Sequence, residues 1–279
     1  MKYRELYEFG CLCLKAADIS EYKLDARLLL EFVCKTTRND MFVNADKEVE
    51  PAPEKEYKEL LEKRAAHIPL QHLTGTQGFM GLDFIVGPEV LIPRQDTETL
   101  VETVLKELHD GMSILDMCTG SGCILLSLLK YSNGCMGTGA DISAKALETA
   151  AKNAEALSLK ATFTESDLFS NISGKFDILV SNPPYIRTCE IETLMPEVKD
   201  YDPYIALDGH ENGLYFYEKI IKDAPQHLVW GALVAFEIGN DQGKEVSKLL
   251  SDNGYSEVEV IKDLCGNDRV VKGYFCPKR

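Results

Sequence analysis

Apolar residues recur at helical spacing in the first quarter of the chain: Leu24, Leu28, Leu29, Phe32 and Val33, then Tyr57, Leu60, Leu61, Ala65 and Ile68. Positions three and four apart share one face of a helix, so both runs predict amphipathic helices. Pro51 and Pro53 stand ahead of the second run, where a residue with fixed φ and no N–H is suited to start a helix. No strand pattern interrupts, and residues 1–74 are expected to form a small helical domain. Next, four glycines (Gly75, Gly78, Gly81 and Gly87) alternate with Phe79, Leu82, Phe84 and Val86. Short extended runs punctuated by glycine predict a β-hairpin linker over 75–92.

From residue 93 the period switches repeatedly between two and 3.6. Strands are predicted at Ile114–Cys118, Met136–Asp141, Ala161–Thr164, Phe176–Ser181 and Leu233–Ile238, with helices at Thr97–Leu108, Gly122–Lys130, Ala144–Leu157 and Gly213–His227. Such alternation implies βαβ units and a mainly parallel sheet. The last two strand-like runs, Glu257–Ile261 and Arg269–Phe275, are separated only by a short loop containing Gly266. A parallel crossover needs a dozen or more residues, so these two must pair antiparallel. Residues 93–279 are thus expected to form one α/β domain whose parallel sheet ends in an antiparallel hairpin.

Charge narrows the choice of partner. The chain carries 30 Lys and Arg against 45 Asp and Glu, with a net of −2 in the first 75 residues and −13 in the rest. A protein that tracks phosphates needs a basic surface, so no stable nucleic-acid binding is expected. The longest apolar run, Leu228–Phe236, is broken by Gly231 and falls far short of the roughly 18 residues of a membrane span. The N-terminus alternates charged and apolar residues and lacks the core of a signal peptide, so a cytoplasmic monomer is expected. The 9 cysteines are scattered, without paired CxxC spacing or a histidine cluster, so neither a disulfide framework nor a metal site is predicted.

Candidate chemistry gathers where the predicted strands end. Asp116-Met-Cys118-Thr119-Gly120-Ser121-Gly122 runs from a strand into a turn and then a helix. In an open α/β sheet that edge binds ligands, and residues without Cβ let backbone N–H groups approach one. Leu125 stands where a dinucleotide fingerprint needs glycine, and the Gly-Lys-Ser/Thr of a P-loop is missing, so both familiar nucleotide readings fail. Asp141 ends the next strand, 19 positions past Gly122, about the spacing at which a carboxylate accepts both hydroxyls of a ribose. Asp167 follows the third strand, and Leu168 and Phe169 after it are placed to flank an adenine. At the end of the fourth strand comes Ser181-Asn182-Pro183-Pro184-Tyr185. Two prolines fix the backbone and remove two donors, so the loop presents acceptors. The Asn182 oxygen and the Pro183 carbonyl can receive both N–H bonds of a planar –NH2 group, with the Tyr185 ring as a flat support.

Together these segments resemble the class I S-adenosylmethionine-dependent methyltransferases carrying an Asn-Pro-Pro-Tyr motif. More specifically, Ile68–Gly75, Phe79–Phe84, Val90–Glu98, Asp177–Ile186, Ala206–Gly209 with Gly213-Leu214, Glu237–Gly239 and Gly266–Val271 are similar to the PrmC/HemK family. The resemblance covers nearly the whole chain. It implies a helical N-terminal domain joined by a hairpin to a Rossmann-like domain with a seven-stranded sheet. The implied activity is methylation, from S-adenosyl-L-methionine, of the N5 amide nitrogen of the glutamine in the Gly-Gly-Gln motif of class 1 peptide chain release factors. By that resemblance Cys118, Thr119, Gly120, Ser121 and Gly122 hold the methionine end of the cofactor, Asp141 its ribose and Leu168 its adenine, with Asn182 also in contact. Asn182, Pro183, Pro184 and Tyr185 are then the catalytic and substrate-holding residues. Two positions depart from the family pattern: Cys118 replaces a usual Gly and Gln95 a usual Pro.

The acidic catalytic part suits a locally basic protein substrate, and the stretch from Glu190 to Glu211, holding Glu190, Glu192, Glu197, Asp200, Asp202, Asp208 and Glu211 against Lys199, is expected to form part of a docking rim. A rival reading is transfer to the exocyclic amine of adenine or guanine in DNA or RNA, since the same loop can grip a flipped base. A non-catalytic binding module on the same fold is a third.

Overall fold

The computed structural model describes residues 1–276. The chain divides into two compact units, one of residues 1–76 with 195–201, the other of 77–194 with the chain from Asp202 onward.

The first unit contains α1 (Tyr3–Ala16), α2 (Tyr22–Cys34), α3 (Arg38–Val43), α4 (Pro51–Ala65) and α5 (Leu70–Thr74). Helix α4 starts on Pro51, where the sequence places it. The core is built from Leu6, Leu14, Leu29, Leu30, Tyr57 and Leu61. In α2 the inward stripe is Asp25, Ala26, Leu29, Leu30 and Val33, while Leu24 and Phe32 are 40% and 43% exposed. The helix turns the stripe holding Ala26 and Leu30 inward, and Asp25, which comes inside with it, accepts Arg64 Nε at 2.7 Å. Gly10 lets α1 pass α4 closely: a Cβ there would stand 2.0 Å from the Tyr57 hydroxyl oxygen, which donates to the Ala26 carbonyl at 2.9 Å.

Chain order continues with the hairpin β1 (Thr76–Phe79) and β2 (Leu82–Ile85), then α6 (Glu98–Leu105), β3 (Ser113–Met117), α7 (Cys123–Lys130), β4 (Met136–Asp141), α8 (Ala144–Ala156), β5 (Thr162–Glu165) and β6 (Phe176–Ser181). Three short helices follow, α9 (Thr188–Ile191), α10 (Pro196–Lys199) and α11 (Tyr204–Leu207). The chain closes with α12 (Tyr215–Asp223), β7 (Leu228–Glu237), α13 (Gly243–Asp252), β8 (Tyr255–Lys262) and β9 (Asp268–Phe275). The hairpin expected as a linker is built into the second unit: Phe79 and Phe84 are fully buried there and meet edge to face at 6.1 Å.

The seven-stranded sheet has the order β5-β4-β3-β6-β7-β9-β8. Strands β3 to β7 pair parallel, and β9 runs antiparallel to both β7 and β8. Alternation sorts the side chains into two layers. Leu115, Met117, Leu179, Val234 and Phe236 pack with α12 and α13 residues such as Tyr217, Ile220, Val246 and Leu250. Ile114, Ile178, Val180, Leu233 and Ala235 pack on the opposite face with Leu100 and Val104 of α6 and Leu125 and Leu128 of α7. A sheet covered on both sides needs strands apolar at every position, which is why these runs read as continuous rather than alternating. The prediction missed α13, whose apolar positions are few, and it stopped β7 short, since that strand passes through Gly231 to start at Leu228. It also extended α12 too far: at Pro225 a missing N–H converts the last turn to a 3₁₀ turn over Ala224–His227.

Among the described residues no helix is long and apolar enough to cross a membrane. The Arg64–Asp25 pair yields a stability prediction for the helical unit. Both residues are nearly excluded from solvent, so Arg64→Met strands a buried carboxylate and should cost about 3–5 kcal/mol. Urea unfolding of the single variant and of Arg64→Met with Asp25→Leu checks this: the double variant should recover much of the loss, and a single variant with an unchanged midpoint would refute it.

Candidate active site

The chain order places β3 and β6 side by side while β4 and β5 run out the other way, so the sheet has its switch point between β3 and β6. Crossover loops on either side diverge there and leave a crevice at the carboxyl edge. A cleft lies at that edge. Its walls are the ends of four adjacent parallel strands: Met117 to Ser121 after β3, Ala140 to Ser143 after β4, Ser166 to Leu168 after β5, and Asn182 with Pro184 after β6. Pro203, with Ile205 and Ala206 of α11, completes it together with Glu89, Val90, Leu91 and Pro93.

The loop after β3 owes its shape to three left-handed residues at alternate positions, Cys118 (φ +62°), Gly120 (φ +54°) and Gly122 (φ +77°). At Gly120 the position a Cβ would take is open space, so the backbone itself faces the cleft. Cys118 adopts the same conformation with a side chain, which explains why glycine is the easier residue there and costs this chain on the order of 1–2 kcal/mol. Burial raises its thiol well above the ordinary range. The loop is locked from beneath. Asp116 accepts the Thr119 hydroxyl at 2.6 Å, and Asn153 of α8 donates to the Ser121 carbonyl at 2.9 Å. The same Asn153 amide accepts from the Ile85 N–H at 2.7 Å and donates to the Ile85 carbonyl at 3.0 Å, so one fully buried side chain joins the hairpin to the loop.

Asp141 and Leu168, after the adjacent strands β4 and β5, both line the cleft. One of its oxygens accepts the Gly120 N–H and the other the Ser143 N–H, each at 2.9 Å. A carboxylate has about four acceptor positions, so acceptor capacity remains for a ligand. Burial raises its carboxyl above the usual value, against the pull of those N–H groups. Asp167 and Leu168 line the same wall, Leu168 with φ +47°. Phe169 faces away, stacked on His227 with ring centres 4.8 Å apart.

The loop after β6 is divided in its orientation. Asn182 and Pro184 line the cleft with Pro183 between them, and Gly122 serves as the left-handed start of α7. The Tyr185 hydroxyl donates to Glu237 at 3.2 Å, and its carbonyl accepts from Gln242 at 3.0 Å. Glu237 ends β7 and is 2% exposed. Burial raises its carboxyl, opposed by the Thr97 hydroxyl, the Arg269 charge and Tyr185. Sequence reading did not single out Asn153, because partners so far apart in the chain leave no spacing signal.

The acidic stretch after this loop is less free than its composition suggests. Glu197 accepts Arg64 at 3.1 Å, Asp202 is buried and paired with Arg94 at 2.5 Å, and Asp208 accepts the Thr188 hydroxyl at 2.6 Å and the His210 N–H at 3.0 Å. These acids hold their own segments in place, so the expected docking rim is reduced to the remaining carboxylates.

Asp116 gives a pH prediction. Full burial pushes its carboxyl from 3.8 up to about 7, and its second oxygen has no hydrogen-bond partner among the described residues. A raised folded value means the native state holds the proton more tightly than the unfolded chain, so this stabilisation is complete below pH 3.8 and is lost as pH rises through about 7. Asp116→Asn should therefore gain stability relative to the parent protein across that window. Denaturation midpoints of the two proteins that stay parallel from acid to neutral pH would contradict the assignment.

Comparisons with known proteins agree with this architecture. Residues 5–75 match the PrmC N-terminal domain and residues 94–196 the methyltransferase small domain. The release factor glutamine methyltransferase of Agrobacterium fabrum is 43% identical over 266 residues, covering 92% of each chain. That of Clostridium acetobutylicum is 42% identical over 278 residues, covering 97% of this chain and 98% of the other. A methyltransferase structure from Pyrococcus furiosus shares the fold at a TM-score of 0.53 and 21% identity, covering 71% of this chain and 90% of that one. With such identity over almost its full length, the chain belongs to the release factor glutamine methyltransferase family.

Proposed function

We propose that the protein transfers a methyl group from S-adenosyl-L-methionine to the side-chain amide nitrogen of the glutamine in the Gly-Gly-Gln motif of class 1 release factors. The observation that carries the reading is the convergence of Gly120, Asp141, Leu168 and Asn182 on one cleft in a chain of this family. The cleft fits the cofactor. The open space over Gly120 admits its amino-acid end against the backbone, the acceptor oxygens of Asp141 suit a ribose hydroxyl, and Leu168 gives an apolar wall for the base. When bound, the cofactor supplies a sulfonium-activated methyl group.

The chain's own residues then have one task, to present an amide nitrogen whose lone pair is delocalised and therefore weakly nucleophilic. Asn182 Oδ1 and the Pro183 carbonyl accept the two N–H bonds, which orients the nitrogen and returns electron density to it. Orientation of this kind is worth several kcal/mol, up to about 7–11 in the best intramolecular cases. Methyl transfer breaks the S–CH3 bond and leaves two N–H bonds on a cationic nitrogen, so one of the two protons leaves late, to water or through the same two acceptors. The net charge of −15 favours approach of a locally basic protein over a nucleic acid. The reaction belongs in the cytoplasm with release factors, and the enzyme works as a monomer without stable nucleic-acid binding.

Incubation of the protein with S-adenosyl-L-methionine and a class 1 release factor, followed by digestion and mass spectrometry, should show one added methyl on the Gly-Gly-Gln peptide. Asn182→Ala should cut turnover about 100-fold or more, the size of losing one positioned group in an oxyanion-type site, while cofactor affinity changes far less. Methylation of adenine or guanine amines in place of the peptide would overturn the substrate, and equal losses of turnover and cofactor affinity would overturn the role of Asn182.

A further inference from the structure

Two segments singled out in the sequence, Gly209 to Leu214 and Glu237 to Gly239, converge on Tyr185, and the side chain that joins them is Gln242. It stands just ahead of α13 and is 3% exposed. Its Nε2 donates to the Tyr185 carbonyl at 3.0 Å and to the Gly213 carbonyl at 3.2 Å, while its Oε1 accepts the Gly239 N–H at 2.9 Å. A glutamine amide has nearly the same shape either way up, so its orientation is decided by its partners. Two acceptors on one side and a donor on the other admit a single orientation. The approach is close because glycine lines it. A Cβ on Gly213 would stand 2.5 Å from the Tyr185 carbonyl oxygen and 2.7 Å from Gln242 Nε2, and one on Gly209 would stand 2.7 Å from the Tyr185 Cα. These separations fall well short of the roughly 3.5–4.0 Å of ordinary non-bonded contact, so a side chain at either position would push the amide off Tyr185.

Such pinning matters because the loop cannot pin itself. Pro183 and Pro184 have no N–H to donate, so the course of the chain through them depends on what holds its two ends. The first end is held by the sheet, where Ser181 pairs with Met117 of β3 and Phe236 of β7. The second end is tied at four points. The Tyr185 hydroxyl donates to Glu237 at 3.2 Å and the Tyr185 carbonyl accepts from Gln242. The Ile186 N–H donates to the Leu207 carbonyl at 3.0 Å, and the Ile186 carbonyl accepts the Gly209 N–H at 2.8 Å. The peptide unit between Tyr185 and Ile186 is thus held from both sides, by Gln242 on its oxygen and by Leu207 on its N–H.

We propose that Gln242 is a positioning residue for methyl transfer: by clamping the Tyr185 carbonyl beside Gly213 it sets the course of the loop, and so keeps Asn182 Oδ1 and the Pro183 carbonyl where the substrate amide meets them. This deepens the glutamine methyltransferase reading and rests on it.

The test compares Gln242→Met and Gln242→Glu with the parent in the full chain, by kcat and KM on a release factor and by cofactor dissociation constant. It adds nuclear magnetic resonance of protein labelled at tyrosine carbonyl carbons and isoleucine nitrogens, in which the Tyr185–Ile186 and Tyr204–Ile205 bonds give the signals. Gln242→Met keeps the length of the side chain and removes both donors. It should lower kcat about tenfold or more, as misplacement near a reacting atom does, hold the cofactor constant within about twofold, too small a change to count as lost binding, and shift the Tyr185–Ile186 signal. In Gln242→Glu a carboxylate faces two carbonyls with no proton to donate, and protonation gives it one. Burial among acceptors favours the protonated form, so the kcat deficit of Gln242→Glu, taken relative to the parent at each pH, should shrink severalfold from about pH 8.5 to about pH 6. The deficit of Gln242→Met should stay constant over the same interval. Parent-like kcat or an unmoved Tyr185–Ile186 signal in Gln242→Met, the same pH profile in both variants, or a loss of cofactor affinity as large as the loss of kcat would overturn the clamp. If the parent protein methylates no release factor, the substrate reading falls and the Tyr185–Ile186 signal alone decides whether Gln242 sets the loop.

Discussion

A parallel sheet covered by helices on both faces has almost no place along its strands for polar chemistry, and the rest of this structure follows from that constraint. Side chains in β3, β6 and β7 enter one apolar layer or the other, so groups that must meet a ligand are pushed to the strand ends. The carboxyl edge is the favoured end because the connections there diverge at the switch point between β3 and β6. Four consecutive strand ends in space supply the cleft, and each contributes a different kind of group. The β3 loop contributes bare backbone, β4 a carboxylate, β5 an apolar wall, and β6 an amide between rigid prolines.

Holding those groups still requires polar atoms inside the protein. Asp116, Asn153 and Glu237 are all within 2% of complete burial. Each spends its hydrogen bonds on a loop that lines or backs the cleft: Asp116 on Thr119, Asn153 on Ser121 and Ile85, Glu237 on Tyr185. Buried groups of this kind cost free energy unless partnered, and their partners are loop residues that would otherwise move. The same logic accounts for the acidic stretch between Glu190 and Glu211, where several carboxylates are consumed in pinning their own segments and so contribute less to the surface field than the net charge implies.

Much of the site was legible in the chain. The prolines after Asn182 announce an acceptor loop because their effect on the backbone is local, and Asp141 is placed by its position at a strand end. Gly120 and Gly122 are recognisable for a similar reason, since a left-handed turn is a property of a few consecutive residues. Cys118 was noticed only as a departure, and its φ of +62° shows what glycine would spare. In α2 the apolar spacing suggested a face that includes Leu24 and Phe32, yet the helix buries Ala26 and Leu30 and, with them, Asp25, which is paired with Arg64.

The sequence by itself determined the helical start, the alternating α/β order, the antiparallel end and the identity of the strand-end groups, all of which depend on spacing over a few residues. Only the tertiary structure decided which strand ends are neighbours, that Pro184 faces the cleft while Tyr185 turns back to Glu237, and that Asn153 supports residues far away in the chain. Such pairings join positions 32 to 68 residues apart. Local propensity carries no information about them, because they are set by sheet order and by the requirement that every buried donor find an acceptor.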